Sequence, residues 1–168
     1  MSSDGNNQNV GGKNTRREAR ELALRMLFQL DVGKQPVEEV VEAALAQCHL
    51  DDKNRAFAED LVRGALANLV TLDERLTAAS TDWALDRQAA VDRNILRIAA
   101  YEMLFRPDAP VAAVVNEAVE LAKKYSTAES GRFVNGVLGG LARQPRGEDA
   151  PAQDSPESDL ESNGDEAH

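Results

Sequence analysis

The chain has 168 residues, of which 42% are hydrophobic but only 4% aromatic, with a formal net charge of −10. One folded domain is the expectation at this length, and a core of Ala, Leu and Val favours packed helices over a β-sandwich. No apolar run approaches the ~20 residues of a membrane span and the Asn-rich start lacks a secretory stretch, while a lone Cys48 with His49 and His168 offers neither an internal disulfide nor metal-ligand spacing.

Residues 1 to 14 are rich in Asn, Gly and Ser and read as a disordered leader, because they cannot offset their ordering entropy by burial. A first helix is predicted from Thr15, a residue type suited to an N-cap, to Asp31. Ala19, Leu22, Ala23, Met26, Leu27 and Leu30 form its apolar stripe, and Gly33 is the expected stop. Lys13, Arg16, Arg17, Arg20 and Arg25 against Glu18 and Glu21 give this segment a local net charge of +3. At about 100° per residue, Lys13, Arg17 and Arg20 share one flank and Arg16 lies between that flank and the core, with Glu18, Glu21 and Arg25 opposite, placed to pair among themselves. Planar guanidinium forks suit phosphate and base stacking, although a solvated helix face would carry the same residues.

Pro36 suits a helix N-terminus, and Val37, Val40, Val41, Ala44 and Leu45 continue a second helix to about Cys48. One long pattern then runs from Asp52 through Phe57, Leu61, Ala65, Leu69 and Leu72 to Leu76. Trp83 and Leu85 read as a short turn packing on the core. A buried helix follows from about Gln88 to Phe105, with Val91, Ile95, Ile98, Ala99 and Met103 inward. Pro110 opens a sixth helix with the clearest i, i+3, i+4, i+7 series, Val111 to Tyr125, and a last helix spans about Ala128 to Arg143. In that last helix Asn135-Gly136 points to a close approach, since Gly inside a helix costs roughly 1 kcal/mol against Ala, and close helix packing is the preferred cause. The expected fold is all-α, a compact bundle of about seven helices in two packed sub-bundles, spanning residues 15–143.

From Gln144 to His168 the chain holds eight acids against Arg146, a net of −7, which leaves −3 for residues 1–143. This stretch reads as a disordered acidic tail whose ordinary role is solubility, although tethering would also let it compete with any anion drawn to the basic first helix. No parts of an enzyme are evident: His49 sits in a polar loop, Cys48 has no base beside it, and no Gly-rich phosphate loop follows a strand. The chain is therefore expected to be a cytoplasmic, non-enzymatic protein without a cofactor.

Three stretches carry a resemblance. They are Arg16-Arg17-Glu18-Ala19-Arg20-Glu21-Leu22-Ala23, then Val91-Asp92-Arg93-Asn94-Ile95-Leu96-Arg97-Ile98-Ala99-Ala100-Tyr101-Glu102-Met103-Leu104, then Asn116 through Tyr125 with Phe133-Val134-Asn135-Gly136-Val137-Leu138. In order and spacing they resemble the NusB family of transcription antitermination factors over roughly Thr15 to Arg143. The resemblance implies binding of boxA-type single-stranded RNA together with the small-subunit ribosomal protein that acts as NusE, in support of RNA polymerase on ribosomal RNA operons. By position it implies RNA contacts at Arg16, Arg17, Arg20, Lys123, Tyr125, Glu129, Arg132 and Phe133. Lys124 adds charge there, and core packing is the favoured job for both aromatics. Partner contacts are implied at Arg97, Tyr101 and Glu102. Two alternatives stay open, a helical adaptor that binds protein alone and a homodimer with a masked RNA surface. A related module appended to RNA cytosine methyltransferases lacks its large catalytic domain here, and the acidic tail departs from the family's pattern.

Overall fold

The computed structural model describes residues 12–80 and 88–145, and seven α-helices are found among them with no strand. They are α1 (Gly12–Gly33), α2 (Val37–Gln47), α3 (Asp52–Ala67), α4 (Leu69–Ala79), α5 (Ala90–Phe105), α6 (Val111–Tyr125) and α7 (Ala128–Arg143). The all-α expectation holds, yet the count of seven is reached by a different route. The predicted Trp83–Leu85 turn lies outside the described residues, as do the leader before Gly12 and the tail beyond Pro145. Among the described residues the long pattern divides into two helices, α3 and α4.

Asn68 makes that division. Its backbone N–H and its side-chain Nδ2 both donate to the Gly64 carbonyl, at 3.1 and 2.8 Å, and its φ of −113° and ψ of 19° leave the helical region. A side-chain amide that competes for a helix carbonyl ends the turn without a Gly or Pro to announce it. α1 also differs from expectation at both ends. It begins at Gly12 and not at Thr15, and Gly33 is its last residue. The left-handed residue after it is Lys34, with φ of 50°.

α5 is the axis of the molecule. It packs on α1 and α3 on one side and on α4, α6 and α7 on the other, so it joins the α1–α3 set to the α4–α7 set. Ile95, Leu96, Ile98, Ala99 and Ala100 are all buried, as are the polar Asp92, Asn94 and Glu102. Leu61, Leu72, Leu76, Val114 and Leu138 close the core around it. Close backbone approach occurs where glycine permits it: a Cβ on Gly64 would collide with the Tyr101 ring, and one on Gly140 would come within 2.9 Å of the Ala79 carbonyl oxygen. Gly136 is different. Nothing lies within 4 Å of the place its Cβ would take, so the expected helix packing at Asn135-Gly136 is not what that glycine serves.

Candidate nucleic-acid interface

The basic start of α1 is divided by its partners. Arg17 donates from Nε and Nη2 to the Glu117 carboxylate of α6, both at 3.0 Å, and this contact holds the guanidinium above its ordinary pKa. Arg20 reaches inward to Glu102 of α5, at 2.9 and 2.7 Å, with side chains 12% and 2% exposed. Burial opposes the Arg20 charge, and the Glu102 carboxylate more than offsets it, so its pKa is also raised. Arg16 has no carboxylate partner among the described residues. Its guanidinium lies 4.0 Å from the centroid of the Phe57 ring, and its Nη1 is buried without a hydrogen-bond partner. The side chain of Lys13 lies outside the described residues.

Glu21 does not pair with its own helix as expected. It accepts from Lys124 Nζ at 2.7 Å and from the Tyr125 hydroxyl at 3.0 Å, which ties α1 to the end of α6. Hydrogen bonding to Glu21 raises the Lys124 pKa, and partial burial followed by the same carboxylate raises that of Tyr125. Tyr125 is therefore a surface residue, 37% exposed, and not the core residue its place on the apolar stripe implied. Phe133 is half-buried against the core, in line with the packing role. Lys123 sits 3.5 Å from Glu120 and lays its stem on Gly131, next to exposed Arg132 and close to exposed Glu129. The fold thus gathers the start of α1, the end of α6 and the start of α7 into one surface.

The residues expected to meet a protein partner face the interior. Arg97 grips Asp73 of α4 at 2.8 Å through both Nε and Nη2. Tyr101 is 8% exposed and donates to Asp60, and Glu102 holds Arg20. Burial, then the hydrogen bond to Asp60, pushes the Tyr101 phenol above its usual range. These three side chains brace α5 against α1, α3 and α4, so they are not anchors on an open face.

Against known proteins, the NusB family profile matches residues 17–143. The chain belongs to the NusB family. A transcription antitermination protein NusB from Heliobacterium modesticaldum is 46% identical over 143 residues, 83% of this chain and 69% of the relative. One from Sorangium cellulosum is 44% identical over 79% of this chain and 93% of its own length. Among solved structures, T. maritima NusB superposes with a TM-score of 0.72 at 37% identity, covering 81% of this chain and 93% of that one. The antitermination factors NusB and NusE solved in complex with double-stranded RNA give 0.70 at 26% identity, covering 76% and 96%.

The NusB-family fold also shows an apolar groove that the sequence reading passed over. Leu24, Phe28, Val91 and Tyr125, with Arg25 and Gln29, line a depression of about 330 Å³ between α1, α5 and α6. Phe28 is 38% exposed and Val32, one turn on, 55%. Leu24 and Phe28 lie four residues apart, off the main stripe of α1, and that second short stripe was the available signal. The family match ends at Arg143, so the acidic stretch lies beyond the region that the family profile covers. No helix among the described residues is long and apolar enough to cross a membrane.

Proposed function

We propose that this chain is a transcription antitermination factor that binds boxA-type RNA together with the ribosomal protein acting as NusE, and that it works in the cytoplasm by binding and not by catalysis. The observation that carries this reading is the family fold, shared along nearly the whole length of a NusB solved with NusE and RNA. It is supported locally by the surface that joins Arg17 on α1 to Lys123 and Lys124 on α6 and Arg132 on α7, with Tyr125, Glu129 and Phe133 along its edge and Arg16 beside Arg17 on α1 over the Phe57 ring. Arg20 contributes from beneath by fixing α1 to α5. The NusE-type partner is assigned to the Phe28 groove, whose apolar lining and adjoining Arg25 and Gln29 match the core and rim of a protein interface. From there the pair would join the RNA polymerase complex.

The test is fluorescence anisotropy of labelled boxA RNA and a scrambled control, with and without the NusE protein, at two salt concentrations. Sequence-selective binding that the partner strengthens is the expected result, with a salt slope that rises by about 0.7 per phosphate neutralised. Equal affinity for both RNAs in every condition would overturn the reading. Light scattering on the same samples distinguishes a homodimer that masks the surface.

A further inference from the structure

Three guanidinium groups crowd one aromatic ring. Arg16, Arg106 and Arg20 place their central carbons 4.0, 4.9 and 5.4 Å from the centroid of Phe57 on α3. Two of the three are neutralised: Arg20 by Glu102, and Arg106 by Asp60 at 2.5 Å with Asp108 further out at 3.9 Å. Arg16 has the ring alone, since no hydrogen bond or ion pair engages it among the described residues.

The kind of partner decides what an arginine can still do. A carboxylate that grips both nitrogens of the fork consumes the donors and the charge together, as Glu117 does for Arg17 and Glu102 for Arg20. An aromatic face fixes the guanidinium through its quadrupole and leaves both unspent. The ring is itself immobile, because Phe57 is 6% exposed and sits in the core beside Arg20 and Arg106. The Nη1 of Arg16 is enclosed and has no acceptor among the described residues, so an incoming anion would be met by the rest of a side chain that is only partly buried.

We propose that Phe57 is a positioning residue for RNA binding: its ring holds Arg16 ready, and Arg16 is the arginine of α1 that grips an RNA phosphate. Arg17 and Arg20 act mainly as struts. This inference rests on the RNA-binding reading above and sharpens it to one cation and the ring beneath it.

The experiment measures affinity of the full chain for labelled boxA RNA in a double-mutant cycle of Arg16→Ala and Phe57→Leu, with Phe57→Tyr as the conservative control. Loss of the ring should weaken binding by about two- to fivefold, the range expected of one cation–π contact. Phe57→Tyr should restore it, and Phe57→Leu should change nothing further once Arg16 is absent. Phenylalanines carrying one, two or three ring fluorines at position 57 keep the shape and drain the quadrupole, so affinity should fall stepwise with fluorination in protein of unchanged melting temperature. This series also decides the matter should Phe57→Leu fail to fold. Wild-type affinity in the fluorinated series, or fully additive losses in the cycle, would overturn the role of Phe57. If the wild-type protein does not prefer boxA over scrambled RNA, the RNA reading itself falls and takes the inference with it.

Discussion

Arg17 and Arg20 carry the same charge one turn apart on α1, yet their partners give them different work. The Arg20–Glu102 pair is almost closed to solvent, whereas Arg17 is 48% exposed beside a Glu117 that is 22% exposed. Removing one member of a buried pair leaves the other charge stranded, which costs about 3–5 kcal/mol, while an exposed pair is worth about 1 kcal/mol or less. Arg20→Ala should therefore lose most of the stability of a small domain, and Arg17→Ala very little, as read by urea unfolding. Weakened RNA binding in an Arg20 variant means something only in protein shown to be folded. Glu117→Gln should act the other way, freeing the Arg17 fork and raising RNA affinity by a factor of a few at low salt; anisotropy titrations at 50 mM and 300 mM salt, about where screening becomes strong, would show the gain shrink. The arginines themselves were legible in the sequence, but their sorting was not. Glu102 lies 82 positions from Arg20 and Glu117 lies 100 from Arg17, and helical periodicity carries no information across such distances.

Helices place these residues, and their legibility follows the same limit. α6 and α7 were read to within a residue or so because each has a single apolar stripe between clear breaks, Pro110 and the Tyr125–Thr127 stretch. The α3–α4 break was missed because Leu69 and Leu72 continue the apolar phase straight through Asn68. Glu102 was placed at a partner surface by the family resemblance, whereas in the fold its side chain is 2% exposed and holds Arg20. Two glycines test the packing directly. Gly64→Ala drives a methyl into the Tyr101 ring and should destabilise by about 1–3 kcal/mol, whereas Gly136→Ala has open space and should stabilise by up to about 1 kcal/mol. Opposite shifts in thermal midpoint are the expected outcome, and a stabilising Gly64→Ala would refute the packing described. A pH effect belongs to this scale too. Asp31 of α1 accepts from Arg93 and Asn94 of α5, and although burial works against its charge, those hydrogen bonds hold its carboxyl below the ordinary 3.8. The folded pKa is the lower one, so the unfolded chain binds the proton first. The stability Asp31 contributes is complete above pH 3.8 and drains away as pH falls from there through the folded value. Urea midpoints of wild type and Asp31→Asn should differ at pH 7 and converge toward pH 3.

For the whole molecule, the distribution of charge matters more than its sum. A net of −10 would ordinarily repel a polyanion, yet residues 146–168 alone hold −7 and the start of α1 is locally +3. The tail leaves the fold at a fixed point. Gln144 accepts from Arg75 Nε at 2.7 Å and donates to the Arg75 carbonyl at 3.0 Å, so the end of α7 is fastened to α4 before the acidic stretch begins. Twenty-three residues beyond that point can reach any face of a molecule this size, since an extended chain spans about 3.3 Å per residue. A tethered segment of that length would hold its carboxylates at millimolar effective concentration near the basic surface, where even weak pairing would compete with an anionic ligand. Truncation should start at Arg146, because removing Gln144 would also break its bonds to Arg75 and confuse stability with affinity. The shortened chain should bind boxA RNA several-fold more tightly at low salt and no more tightly near 1 M, where the screening length falls to about 3 Å. Equal affinity of the two proteins at low salt would leave the tail with solubility as its role, and RNA access would then be set by the folded surface alone.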